Sequence, residues 1–259
     1  MDHRKIEQLI DTLDKVEQNR KECYIREFSI EHFHDSKVFE TLIPKICKIF
    51  REENEELTGF ENEEILAEYQ IYKTPGYVYM KGNVQIYSAG KQAADISAFP
   101  EGIAVAVGSE EDVPDICPDQ TIDKVFTIEN LTSFYRFKQE HSLVIYLGGY
   151  HNRSRRNLLM QIYQKLPDAQ YYHFGDLDAG GFYILEHLKR KTGIPFQMFQ
   201  MDIETLKKYE DYAKPLTEND KKRLMQLEKM ELPDEERKLI TYMLQKGIKL
   251  EQECISESQ

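Results

Sequence analysis

The chain has 259 residues, 41% of them hydrophobic, and a formal net charge of -12. Such a length and apolar content allow a sizeable core in one large or two modest domains and exclude a disordered chain. The acidic balance excludes a free-standing, salt-driven grip on a polyanion, which needs a basic face.

No apolar stretch approaches the roughly 20 residues of a membrane span, and the start, Met1 to Lys5, lacks a signal-peptide core, so a cytoplasmic chain is expected. Cys23, Cys47, Cys117 and Cys254 stand far apart with no C-x-x-C pair. They read as packing thiols, not as a zinc or disulfide framework.

Ile6, Leu9, Ile10, Leu13 and Val16 form one apolar helical stripe in a polar background, which packs on the body or pairs with another chain. The pattern recurs over residues 36–52 with Phe39, Leu42, Ile43, Ile46, Ile49 and Phe50, capped by Asp35 or Ser36. Pro44 sets the start of this helix near Thr41 or kinks it there. The acidic run from Glu52 to Glu56 reads as a linker. From Glu68 to Val107 the period becomes two, with Tyr69, Ile71, Tyr77, Tyr79, Val84 and Ile86 alternating between turn signals at Thr74-Pro75-Gly76 and Gly82-Asn83. This predicts a small antiparallel meander. Ile103 to Val107 reads as one more buried strand, and Ser109 to Asp112 as the start of a short helix or turn.

Beyond Pro118 strands and helices alternate. Strands are predicted at Val125–Ile128, Leu143–Leu147, Tyr171–Phe174 and Pro195–Phe199, with helices over Leu131–Lys138, Arg155–Gln164 and Phe182–Lys191. Alternation of this kind makes an open parallel sheet, in which ligands bind outside the carboxyl ends of the strands. Charged helices follow over residues 202–246, with starts at Thr217 and at Pro233-Asp234 and a stop at Gly247. The predicted organisation is therefore a helical arm (1–60), a small β-rich segment (61–115), an α/β domain (116–200) and a helical extension (201–259).

The chemistry concentrates at Gly175-Asp-Leu-Asp-Ala-Gly-Gly181, where a strand turns into a helix. In extended backbone Asp176 and Asp178 point to one side, and the three residues after them bring no bulk and leave helix-start amides open for a phosphate. Glu129 ends an adjacent strand, and the basic residues His151, Arg153, Arg155 and Arg156 follow another. Three carboxylates and a basic cluster then converge on one edge. Such a set suits magnesium-assisted phosphodiester chemistry: Asp176 and Asp178 as ligands of Mg2+ or Mn2+, and Glu129 as a second-ion ligand or the group that handles the water proton. Clustering should raise the carboxyl pKa values without metal. Walker and dinucleotide glycine motifs are absent. By alternation His173 lies off the side of Asp176 and reads as packed.

Glu129 in T-I-E-N and the pair in F-G-D-L-D-A-G-G resemble the Toprim domain of topoisomerases, primases and related nucleases. The blocks R-E-F-S-I-E-H-F-H-D-S-K (26–37), I-E-N-L-T-S-F (128–134), Y-L-G-G-Y (146–150), G-D-L-D and L-E-Q-E (250–253) together resemble the JetD family of the Wadjet anti-plasmid systems, relatives of the topoisomerase VI A subunit. The resemblance covers residues from about 24 onward, whereas family members carry a further region ahead of the first block. It implies a Toprim-like sheet and an Mg2+-dependent DNA-cleaving subunit, working on circular plasmid DNA with an SMC-type motor complex and forming a homodimer. It also draws Glu251 and Glu253 towards the metal site. Alternatives are a DNA-binding or interaction subunit that does not cut, and a topoisomerase-like enzyme, although none of the 16 tyrosines can be assigned as its nucleophile.

Overall fold

The computed structural model describes residues 3–54, 57, 60–73, 76–88, 90–107, 115–148 and 153–255, the side chains at 107, 153 and 154 lying outside that description. The readings at Glu55-Glu56, Thr74-Pro75, Ser109 to Asp112 and His151 fall outside the described residues. The chain divides into two compact units, residues 1–76 with 106–113 and 150–154, and residues 77–105 with 114–149 and 155–259.

The first unit holds α1 (His3–Gln18), β1 (Cys23–Tyr24), α2 (Ile25–Phe33), α3 (Val38–Glu53), α4 (Asn62–Glu68) and β2 (Ile71–Tyr72), with β1 and β2 paired in parallel. α3 begins at Val38 and runs through Pro44, so the start near Thr41 is corrected. A proline inside a helix costs about 3 kcal/mol. Phe39, Ile43, Ile46, Cys47 and Phe50 are buried along the same helix, and burial at about 1.5–3 kcal/mol per large apolar side chain exceeds that cost. The Phe39 ring meets Phe28 of α2 at 4.5 Å. In α1 the stripe is only partly covered: Val16 is buried, whereas Ile6 and Ile10 are 37% and 61% exposed.

The second unit carries the other elements, apart from the ends of β3, β6 and α6. They are β3 (Gly76–Lys81), β4 (Val84–Ser88), β5 (Lys91–Asp95), β6 (Ile103–Val107), β7 (Asp115–Pro118), β8 (Lys124–Ile128), α5 (Leu131–Arg136), β9 (Ser142–Tyr146), α6 (Arg153–Lys165), β10 (Gln170–Phe174), α7 (Ala179–Thr192), β11 (Gln197–Met198), α8 (Ile203–Lys208), β12 (Lys214–Pro215), α9 (Glu218–Leu227), α10 (Asp234–Lys246) and β13 (Ile248–Lys249). A six-stranded sheet runs in the order β11-β10-β8-β9-β3-β6. The four strands β11, β10, β8 and β9 are mutually parallel, and β3 joins β9 antiparallel. The fold is thus mixed α/β with a largely parallel sheet. A small antiparallel sheet is present, but its strands are β4, β5 and β7: of the strands predicted for the meander only Val84–Ile86 belongs to it, because β2 pairs with β1 and β3 joins the large sheet. β6 is an edge strand with Ala104 and Ala106 exposed, not the buried strand its composition predicts.

The strand order places β9 and β10 on opposite sides of β8, so the chain reverses direction across the sheet at β8. Open α/β sheets bind ligands at such a switch point, at the carboxyl ends of the strands. One core joins the sheet to the later helices: Phe126, Ile128, Phe134 and Phe174 pack with Phe182 of α7, Leu224 of α9, and Leu239, Ile240 and Met243 of α10. Thr217 caps α9 with its hydroxyl, and Gly247, at φ 70°, ends α10 in the left-handed conformation that glycine adopts without strain.

Candidate active site

β8 and β10 run in register, with Ile128 opposite Phe174, and the pairing continues one step further through the Glu129 N–H, which donates to the Phe174 carbonyl at 3.0 Å. Glu129 therefore leaves β8 directly beside the loop that leaves β10. Its Oε2 accepts the Asp176 N–H at 3.4 Å. Gly175 makes the approach possible: a Cβ there would lie 2.7 Å from Glu129 Oε2 and 2.8 Å from His173 Nε2. The structure thus brings Glu129 and Asp176 together, as the strand pattern predicts.

Asp178 has a different local duty. It is the N-cap of α7, and its Oδ1 accepts the Gly181 N–H at 3.0 Å. The open helix-start amides expected from the glycines are corrected accordingly, because the carboxylate of the same motif takes one of them. The glycine at 181 serves backbone approach instead: a Cβ would fall 2.1 Å from the Asp176 carbonyl oxygen. Asp176 itself accepts the Gln252 N–H on Oδ1 at 2.7 Å. Burial pushes its carboxyl pKa up to about 6; the Gln252 amide opposes the rise, and the charges of Asp178, Glu253 and Glu251 add to it. Clustering alone is the expected cause of a raised carboxyl value; at Asp176 the value is raised, with burial first and the neighbouring charges secondary.

The segment from 250 to 253 is tied to the site by backbone and side-chain hydrogen bonds. Leu250 and Leu177 exchange backbone hydrogen bonds of 3.1 and 2.9 Å in an isolated antiparallel bridge. Gln252, fully buried, donates through Nε2 to the Phe174 carbonyl at 2.9 Å and accepts the Asn130 N–H on Oε1 at 2.8 Å. Glu253 Oε1 accepts from Asn130 Nδ2 at 2.5 Å, and Glu251 pairs with Lys214 at 2.5 Å. Both glutamates therefore lie next to the site, each with a protein partner. Neither sequence period nor charge pointed to Gln252; only its place inside the L-E-Q-E block did.

The donor set is wholly carboxylate oxygen, the chemistry that suits a hard divalent cation. Among the described residues no three His, Cys, Asp or Glu side chains stand in a ready-made ligand group. Glu129, Asp176 and Asp178 instead each give one oxygen to a backbone amide.

Of the basic cluster, Arg155 Nη1 donates to the Leu147 carbonyl at 2.8 Å, so one arginine of the predicted surface patch anchors the end of β9. Arg156 is half-buried, and the Arg153 side chain is outside the described residues. Two basic residues that no motif singled out, Arg136 and Lys138, line a hollow of about 460 Å³ together with Thr132, Phe174 and Glu253. His173 is buried and packed, as expected. Its Nδ1 meets Thr127 Oγ1 at 3.0 Å, and burial lowers its pKa to about 3, with the Lys189 charge acting in the same direction.

The family described as Wadjet protein JetD, C-terminal, matches residues 111–259, more than half of the chain. The chain is also 29% identical over 254 residues to the Wadjet protein JetD of Bacillus cereus (strain Q1), a match covering 96% of this chain and 61% of that relative. The chain therefore spans about three fifths of the length of the curated relative it matches.

Proposed function

Because this chain belongs to the Wadjet JetD family, we propose that it is a metal-dependent DNA endonuclease subunit of the Wadjet anti-plasmid system, with Glu129, Asp176 and Asp178 as its catalytic residues. The observation that carries this reading is the meeting of Glu129 and Asp176 at the switch point of a parallel sheet, where burial holds the Asp176 pKa near 6. A buried carboxyl group whose pKa is raised by its surroundings marks a candidate cation site.

In this reading Asp176 and Asp178 hold Mg2+ or Mn2+, with Glu251 and Glu253 as outer candidates. Glu129 either holds a second ion or takes the proton of the attacking water. When bound, the cation supplies charge neutralisation at the phosphate, alignment of the water and stabilisation of the leaving oxygen. Each of these carboxylates gives one oxygen to an amide, which orients it and leaves its second oxygen for a cation. Arg136 and Lys138, in the hollow next to Glu253, and the helix start bearing Arg153, Arg155 and Arg156 supply phosphate contacts that carry no base information. Circular plasmid DNA, SMC-type motor subunits and a second copy of the chain are the proposed partners, in the cytoplasm.

A second reading, a subunit that binds DNA or partners without cutting, is favoured by one observation: all three carboxylates are already engaged by amides. Plasmid nicking in Mg2+, with and without the partner complex, separates the two. The wild type should nick in Mg2+ and not in EDTA, and Glu129→Gln should melt normally while losing cleavage. Wild-type cleavage in Glu129→Gln would end the nuclease assignment at this site, and a covalent protein–DNA adduct would indicate a topoisomerase.

A further inference from the structure

We infer that Gln252 is the positioning residue that sets the gap between Glu129 and Asp176, so that the site is complete only while the 250–253 segment is docked across the two strand ends. Its consequence for metal rests on the reading above; its geometry does not.

Gln252 is fully buried although it lies between Glu251 and Glu253, which keep solvent access. A buried side-chain amide is unfavourable unless both its ends are paired, and here they are. Oε1 accepts from the Asn130 N–H at 2.8 Å, directly after Glu129, and Nε2 donates to the Phe174 carbonyl at 2.9 Å, two residues before Asp176. The side chain thus acts as a stand-in peptide group that carries the β8–β10 pairing past the point where the two strands stop. Its own main-chain N–H completes the arrangement by donating to Asp176 Oδ1 at 2.7 Å. One residue therefore touches both carboxylate-bearing loops and one of the carboxylates.

The residue type is specific. Glutamate keeps the acceptor and loses the donor, asparagine is one methylene too short, and methionine matches the volume and loses both hydrogen bonds. The reciprocal Leu177–Leu250 bridge fixes the register from which Gln252 reaches. This makes Gln252 a residue that acts through Glu129 and Asp176, not one that meets the phosphate itself.

The test uses the whole chain in three forms, wild type, Gln252→Met and Gln252→Glu, by amide hydrogen exchange without metal and by calorimetric titration with Mn2+. In Gln252→Met the amides of Asn130 and of residues 175–177 should exchange at least about tenfold faster, while β9, residues 142–146, keeps its protection. Mn2+ affinity should fall about tenfold. Gln252→Glu should retain protection at Asn130, where the acceptor survives, and lose it at 175–177. Wild-type protection at all these amides in Gln252→Met overturns the inference. So does faster exchange throughout β9, which would make Gln252 a general support of the fold. A wild type that takes up no Mn2+ sinks the metal reading instead, and the exchange pattern then still decides Gln252.

Discussion

At Asp176 burial and neighbouring carboxylates hold the pKa near 6, whereas the unfolded chain titrates near 3.8. A carboxyl whose pKa rises on folding binds its proton more tightly in the folded chain. Its contribution to stability is then full below about 3.8 and is lost as the pH climbs through about 6. Two pKa units correspond to at most about 3 kcal/mol. Asp176→Asn keeps the Oδ1 acceptor for the Gln252 amide and removes the charge, so it should match the wild type at pH 4 and melt several degrees higher at pH 8, at roughly 2–4 °C per kcal/mol. Melting curves across that range check the sign; equal midpoints at pH 8 would show the charge to be harmless. The same substitution should abolish Mg2+ uptake, placing stability and metal binding in opposition at one atom. The sequence showed where this residue stands, beside Glu129 at the end of β10, because strand alternation and a terminal D-x-D sufficed. It disclosed Asp178 only in part, since an N-cap and a metal ligand look alike in a row of letters.

The start of α7 shows how an element fixes a site. Replacing a helical glycine by alanine ordinarily stabilises by about 1 kcal/mol. At Gly181 the new Cβ would stand 2.1 Å from the Asp176 carbonyl oxygen, so backbone must move. Gly181→Ala should therefore destabilise by about 1–3 kcal/mol, the usual range for overpacking, and weaken Mn2+ binding. At Gly180 the nearest atom is an Asp178 side-chain oxygen at 3.0 Å, and Gly180→Ala should stay within about 1 kcal/mol of the wild type. Urea unfolding of the pair tests the contrast, and equal midpoints would show that α7 can shift freely. Strands β8, β9 and β10 were legible as short apolar runs, and α7 because it has an apolar period, an aspartate cap and a terminal glycine. The destination of β3 was not: alternation states that a strand has a buried face, not which sheet receives it. Nor was the path of residues 248–252, whose pairing with Lys214 and Leu177 is set by tertiary contacts and leaves no periodic trace.

For the whole molecule, a net charge of -12 opposes approach to DNA at long range, although screening beyond about 8–10 Å at physiological salt leaves short contacts able to act. In the proposed function partners supply the rest, and α1 is the place where we propose that a second copy docks. Ile10 is 61% exposed and Ile6 37%, on a helix too short to be stable alone in water. Light scattering should find a dimer, and Ile6→Asp with Ile10→Asp should shift it towards monomer with the melting point unchanged. A wild type that is strictly monomeric would leave the stripe without that role.

Gln252 also orders the site in time. Its bond to Asn130 joins residues 122 positions apart, and synthesis proceeds at roughly 5–20 residues per second. Glu129 therefore waits on the order of ten seconds on the ribosome before the glutamine that ties it to Asp176 exists. During that interval the β8–β10 pairing stops at the Glu129–Phe174 bond, without the side-chain amide that bridges the two strand ends beyond it, so the pocket around Asp176 is the last part of the site to close.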